Sequence, residues 1–305
     1  MTPFYITAEQ AARSELAYIL GRRNGTIKSL STGWYKFDSI HMSGLELGWI
    51  VLIGGISGSG KTALLSMLEN AVFDYNTMDV AVLSFTFEMS ARRLMGRKIS
   101  SKLRKSVKQL YSADQYGNVS DKDIDNITEN ILPELSKYNI NYVEVPASTI
   151  EMGIMIDQFV AANPDKEGYI FTLDHSLLTK SGGGGERATL GEIGDLCNSK
   201  RKLYPNSLYI IISQLNRDIE SSARRESFTG HYPVRGDFFG SDSLYHIADA
   251  AIIIHRPEQL NIAVYGPDKL PTENRIYCHH LKVRDGDPAI TIFENRLFEN
   301  KLIEM

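Results

Sequence analysis

Residues 49–72 read WIVLIGGISGSGKTALLSMLENAV, an apolar run, four glycines, a lysine and a threonine, then an amphipathic segment. The continuous run Ile50–Ile53 has the pattern of a strand buried on both faces. Gly55, Gly60, Lys61 and Thr62 stand in the order G-x-x-x-x-G-K-[ST] between that strand and a helix. Glycine lets successive backbone N–H groups curl around phosphate oxygens without a Cβ in the way. The following helix N-terminus adds partial positive charge. The segment Gly55, Ser57, Gly58, Ser59, Gly60, Lys61, Thr62 and Ala63 is therefore expected to wrap a nucleoside triphosphate. Lys61 would reach the β- and γ-phosphates, and Thr62 would offer its hydroxyl to Mg²⁺. A chance glycine-rich turn is the alternative, but such a match arises only about once in a hundred chains of this length.

Working outward, β-rich apolar runs begin at Val80, Tyr142, Tyr169, Leu208 and Ala250, with helix-like segments between the earlier ones. Strand–helix alternation predicts an α/β fold with a mostly parallel central sheet flanked by helices. Residues 274–285 and 289–302 read as C-terminal added hairpin strands. The pattern predicts a helix over 8–23 and another running from Ser90 to Tyr111. Residues 1–27 are expected to form an N-terminal helix and arm, and 28–305 one catalytic domain. The glycine run Gly182–Gly185 and the polar stretch from Asn216 to Ser243 read as loops, and loops of that length usually serve a function.

The 305 residues include 43% hydrophobic ones and carry a net charge of −4, which argues against wholesale coating of nucleic acid. No apolar run has the roughly eighteen residues that a membrane span needs. The start lacks the layout of a signal peptide. Two cysteines, Cys197 and Cys278, indicate no disulfide framework, so the expected location is a reducing cytoplasm.

A magnesium site in this setting wants a carboxylate at the end of a neighbouring strand, and YIFTLD supplies Asp174. The next residue is His175 where an acid would be convenient, so a base must come from elsewhere. Glu88, closing VAVLSFTFE, is the candidate that could polarise an attacking water. Its alternative role is an acid favoured at a helix start.

The ordered set of motifs resembles the DnaB-type replicative helicases of bacteria and phages. The matching segments are SLSTGWYKFDSIHMSGLELGWIVLIGGISGSGKTA, LSFTFEMSARRLMGRKISS, YIFTLDHSLL, ISQLNRDIE, HYPVRGDFFGSDSLYHIADAAIIIHRP and HLKVRDGDP. The resemblance covers the chain from about Lys28 onward. It implies a RecA-like P-loop NTPase domain working as a hexameric ring on ATP and Mg²⁺, translocating 5′ to 3′ on single-stranded DNA. Within it, Lys61 and the phosphate loop hold the nucleotide, Thr62 and Asp174 hold the metal, and Glu88 is the catalytic glutamate. Gln214 matches the residue that senses the γ-phosphate. Lys282 and Arg284 match cations inserted into the neighbouring subunit's nucleotide site. The short N-terminal helix matches a linker helix that packs on the adjacent protomer; folding back on its own domain is the alternative. The primase-interacting front domain of many relatives is not matched, and a primase and a loader protein remain as further implied partners.

The resemblance also places DNA contacts in loops near 180–187 and 235–243, on Lys180, Arg187, Arg235, Phe239, Gly240 and Ser241. Phe239 stands where relatives commonly carry arginine and Asp242 where they carry glycine; Arg224 and Arg225 are offered as compensating cations. Two other functions stay open: a RecA-like ATPase that remodels DNA without unwinding it, and a nucleotide-binding assembly subunit.

Overall fold

The computed structural model describes residues 5–112, 119–181, 183–240 and 242–305. Eleven strands are present among these: β1 (Ile50–Gly55), β2 (Val80–Thr86), β3 (Ile140–Val143), β4 (Gly168–Asp174), β5 (Ser207–Gln214), β6 (Ala250–His255), β7 (Val264–Tyr265), β8 (Leu270–Pro271), β9 (Arg275–Val283), β10 (Ala289–Arg296) and β11 (Lys301–Glu304). Nine form one sheet in the order β11-β10-β9-β6-β1-β5-β4-β2-β3; β7 and β8 pair separately. The six from β6 to β3 are mutually parallel, and β9, β10 and β11 extend the sheet antiparallel. The expected mostly parallel sheet is therefore present, with the C-terminal hairpin strands added beyond β6.

Every residue of β1, β2, β4 and β6 is buried, which explains why those runs are continuously apolar. Alternate side chains feed two cores. Ile50 and Leu52 of β1 join one face with Ile156, Phe159, Ile193 and Cys197. Val51 and Ile53 join the other with Phe37, Leu64, Leu68 and Val72. The helices follow the chain as α1 (Ala8–Arg23), α2 (Tyr35–Ile40), α3 (Lys61–Asp74), α4 (Ala91–Leu103), α5 (Val107–Tyr111), α6 (Asp121–Asn126), α7 (Leu132–Leu135), α8 (Thr149–Ala162), α9 (Glu186–Leu203), α10 (Ser222–Glu226) and α11 (Asp242–Ile247).

The helix α1 has the expected bounds and is opened by a capping box between Thr7 and Gln10. None of its residues is buried. It does not fold back as a packed helix; it is tethered by Tyr18, whose hydroxyl donates to Glu46 at 2.6 Å, and by Arg22, 3.2 Å from the same carboxylate. Leu16, Ile19 and Leu20 are exposed.

The single helix expected over 90–111 is corrected to two. Arg104 takes a left-handed conformation (φ 55°) that ends α4. Ser106 and Gln109 then form a capping box that opens α5. The signal was present in Ser106-Val-Lys-Gln109, but the helix-forming residues on both sides outweighed it. Short α6 and α7, joined by a π-helical turn over Ile127–Ile131, precede the edge strand β3. The stretch from Asn216 also carries local order, in 3₁₀ turns and α10.

A fully buried ion pair ties the phosphate-loop helix α3 to α4. Lys98 Nζ lies 3.3 Å from Glu69 Oε2, and the other oxygen of Glu69 accepts from Ser84 and Thr172 at 2.8 and 3.0 Å. Burial pushes the Lys98 pKa down while Glu69 opposes that shift. Breaking one side leaves the other charge in the core. Lys98→Met should therefore cost about 3–5 kcal/mol in urea unfolding, and adding Glu69→Leu should recover a large part of it. Two equally mild single effects would show that the pair contributes little.

Candidate nucleotide site

Parallel register brings the candidate residues to one edge. Gly55 at the end of β1 is opposite Gln214 of β5, and Asp174 at the end of β4 is opposite Thr86 of β2. In open α/β sheets this carboxyl edge is where ligands bind. Here it opens into a cleft of about 280 Å³ lined by the phosphate loop, Glu88, Arg97, His175, Gln214 and the turn carrying Leu297 and Asn300.

Gly60 has φ 105°, a conformation that residues with a Cβ rarely adopt, and it caps the N-terminus of α3. The Lys61 ammonium donates to the carbonyls of Gly55 and Ile56 at 2.7 and 2.9 Å. Burial lowers its pKa, opposed by Asp174 and Glu88. Asp174 is 4% exposed, and burial raises its carboxyl pKa to about 6 despite a hydrogen bond with Thr62. Its Oδ1 has no hydrogen-bond partner. A buried carboxylate with a vacant oxygen beside a threonine hydroxyl fits a hard divalent cation such as Mg²⁺.

Glu88 follows β2 at the mouth of the cleft, its side chain about half exposed. His175 Nε2 lies 3.7 Å from Glu88 Oε2 and 3.3 Å from Gln214 Nε2. Burial pushes the His175 pKa down, opposed by Glu88, and its Nε2 faces both the Gln214 amide and the Glu88 carboxylate. His175 was assigned no role from the sequence, yet it stands between the two polar groups that were. Arg97, on α4, was also missed. It lines the cleft, where burial lowers its pKa and Asp174 and Glu88 oppose that shift. Its position nine residues after Glu88, on a helix that begins at the cleft, was the available signal.

Residues 29–290 match the family of DnaB-like helicase C-terminal domains. The chain belongs to this family. Its fold is that of a RecA-like motor domain. One solved structure, an ATPase domain, superposes with a TM-score of 0.81 at 19% identity, covering 99% of this chain and 100% of that one. A DnaB-like replicative helicase, determined for its structure and its interactions with primase, gives 0.78 at 18% identity over 99% of this chain and 68% of its own. A KaiC-like protein, PH0186 from Pyrococcus horikoshii, gives 0.55 at 13% identity, over 92% and 99%. No curated protein matches the sequence significantly.

In this DnaB-like domain the two remaining candidate cations lie away from the nucleotide edge. Lys282 is opposite Ala251, near the start of β6, and Arg284 follows directly after β9. Arg284 Nε is 2.8 Å from Asp249 Oδ1, and the other oxygen of Asp249 accepts from Arg201 and from the Ile50 N–H. Ile50 begins the strand that Gly55 ends. The cations are thus separated from their own phosphate loop by roughly the length of β1, about 16 Å.

Of the suggested DNA contacts, Lys180, Arg187, Arg225 and Arg235 are exposed. The two candidate loops are neighbours: a Cβ on Gly240 would meet the Arg187 side chain at 3.1 Å. Phe239 is half-buried and lines a cleft beside the phosphate loop with Gln214 and Glu186. Gly182, Ser241 and the Asp242 side chain lie outside the described residues. Arg224 is corrected. Its guanidinium donates to both oxygens of Asp237, at 2.9 and 3.0 Å, and to the carbonyls of Gly230 and Tyr232, so it braces the 218–237 segment and has no fork left for phosphate. No described helix is long and apolar enough to cross a membrane.

Burial of Asp174 disfavours its ionised form in the folded protein, a cost fully present above about pH 6 that fades as pH falls towards 4. Asp174→Asn should therefore raise stability by about 1–3 kcal/mol at pH 8, with no gain near pH 4. The same variant should lose Mg²⁺-dependent nucleotide binding. Thermal unfolding at both pH values measures the first effect and titration with an ATP analogue the second. An unchanged melting temperature at pH 8 would mean the carboxylate is not strained.

Proposed function

We propose that the chain is the ATP-driven motor of a ring-shaped replicative helicase moving 5′ to 3′ on single-stranded DNA. The observation that carries this reading is the separation of the site into halves. The phosphate loop, Asp174 and Glu88 meet at one edge of the sheet, while Lys282 of β9 and the following Arg284 lie at the opposite edge, level with the start of β1. A protomer so built completes its nucleotide site only with a second copy, and repetition of that head-to-tail contact closes a ring.

In this mechanism Lys61 and the backbone amides of the loop orient the triphosphate in line with an attacking water. Mg²⁺, bound by Thr62 and Asp174, would offset charge on the phosphate oxygens. Glu88 orients and polarises the water. His175 connects Glu88 to Gln214, so movement at the γ-phosphate end reaches the tip of β5 and the segment that follows it. Arg284 and Lys282 of the adjacent copy stabilise charge as it develops on the transferring phosphoryl group, a contribution that reaches about 10³–10⁵ in rate. Arg97 adds a cation from within the protomer. The exposed apolar residues of α1 are proposed to dock on the neighbouring copy. Backbone amides and cations of the 180–187 and 235–240 segments are proposed to follow the DNA backbone in the channel. A cytoplasmic setting follows from the same reading, as does a primase partner like that of the related helicase.

Arg284→Ala leaves Asp249 with Arg201 and the Ile50 N–H, so the fold should persist. DNA-stimulated turnover should drop by about 10³ with ATP affinity nearly unchanged. Strand displacement on a forked duplex, with Glu88→Gln as the inactive control, separates the alternatives. Rapid hydrolysis without displacement would favour a remodelling ATPase, and very slow hydrolysis a nucleotide-timed assembly subunit.

A further inference from the structure

A contiguous set of contacts joins the nucleotide edge to Lys282, and it passes through Tyr245, a residue given no role above. At the nucleotide end, Phe238 bridges to Leu215 beyond the tip of β5, and the Phe239 N–H donates to the Gln214 carbonyl at 3.1 Å. Phe238 lies directly against β1: a Cβ on Gly54 would come within 2.6 Å of its ring. The Phe238 ring in turn meets Tyr245 at a centroid distance of 5.9 Å.

Two cations approach the Tyr245 ring. The Arg235 guanidinium carbon is 5.0 Å from the ring centroid and the Lys282 ammonium 5.4 Å. Lys282 also donates to the carbonyls of Tyr245 and His246 at 2.9 Å each, at the end of α11. Arg235 donates to His246 Nε2 at 2.8 Å, and the Tyr245 hydroxyl donates to the Leu281 carbonyl at 3.3 Å. The ring quadrupole attracts both cations and offsets their mutual repulsion. One side chain thus touches the turn that pairs with β5, the proposed DNA segment and the strand bearing Lys282.

We propose that Tyr245 is a positioning residue that sets the direction of Lys282 according to the placement of the 235–239 segment. Arg235, drawn towards a phosphate of the DNA backbone, shifts against the ring, and α11 carries the Lys282 ammonium with it. Stimulation of hydrolysis by DNA then runs from Arg235 through Tyr245 to the cation offered to the next copy. This inference rests on the trans-acting role proposed above for Lys282 and Arg284.

The test is the ratio of ATP turnover with and without single-stranded oligonucleotide, measured on the full chain. Tyr245→Leu keeps most of the packing volume but removes the ring face, and it should lower that ratio about three- to thirty-fold. Tyr245→Phe keeps the ring face and should stay within about two-fold of the parent. ATP-analogue affinity reports a merely structural defect and should not move with Tyr245→Leu, while the thermal midpoint should fall by only a few degrees. In a Lys282→Ala background the leucine substitution should add no further loss, the non-additivity expected of two residues acting in series. A parental ratio in Tyr245→Leu alongside a defective Lys282→Ala would overturn the coupling and leave the ring mechanism standing. Undiminished turnover in both Lys282→Ala and Arg284→Ala would overturn the two together.

Discussion

The shared register of four parallel strands is the constraint on which the site depends. Gly55, Gln214, Asp174 and Thr86 belong to segments far apart in sequence, and each is simply the last residue of a buried strand. Once β1, β5, β4 and β2 hydrogen-bond side by side, those four termini are forced into one row. A one-residue slip of β4 against β2 would exchange the Asp174 carboxylate for a neighbouring side chain aimed at the opposite face. The apolar strands therefore do more than fill the core; they fix where the carboxylate and the amide stand.

That arrangement requires charge in places that oppose folding. Asp174 is buried with an unpartnered oxygen, Lys61 is largely desolvated, and Lys98 and Glu69 lie in the core beneath them. The two kinds of burial differ. Lys98 and Glu69 satisfy each other, with Ser84 and Thr172 completing the carboxylate's shell, and together they lock α3 and α4 to the sheet. Asp174 has an incomplete set of partners, as expected of a group whose remaining partner is a ligand. Strain concentrated at the strand ends and relieved just below them is the signature of a site rather than of faulty packing.

The elements legible in the sequence were those whose information is local. The phosphate loop, the continuous strands and the first helix each rest on signals within a few consecutive residues, and their positions agree with the fold. The break at Arg104 was also local, but its Ser106–Gln109 signal competed with good helix formers and lost. His175, Arg97 and Tyr245 escaped because each depends on residues distant in sequence: Gln214 across the sheet, Asp174 on another strand, Lys282 on β9. Arg224 illustrates the opposite error. A cluster of arginines on a polar stretch reads as a phosphate surface, yet Asp237, thirteen residues on, takes its fork. Charge counted along a chain does not reveal which charges are already paired.

Asp249 shows why the two ends of this molecule should be considered together. Its carboxylate holds the Ile50 N–H at the start of β1 and the Arg284 guanidinium at the surface, and β1 ends at the phosphate loop. Tyr245 makes a second connection between the same two ends, from Lys282 through Phe238 to Gly54 of β1. A cation anchored only by its own flexible stem would sample many directions and lose entropy each time it met a neighbouring site. One fixed to a buried carboxylate, beside a lysine fixed to an aromatic face and two carbonyls, has already lost that freedom on folding. Preorganisation of this kind would make the proposed contact between copies faster to form and more sensitive to small shifts of the strand behind it. If the fuel site is shared between neighbours as proposed, rigidity on the donating side would allow movement on the accepting side to be felt.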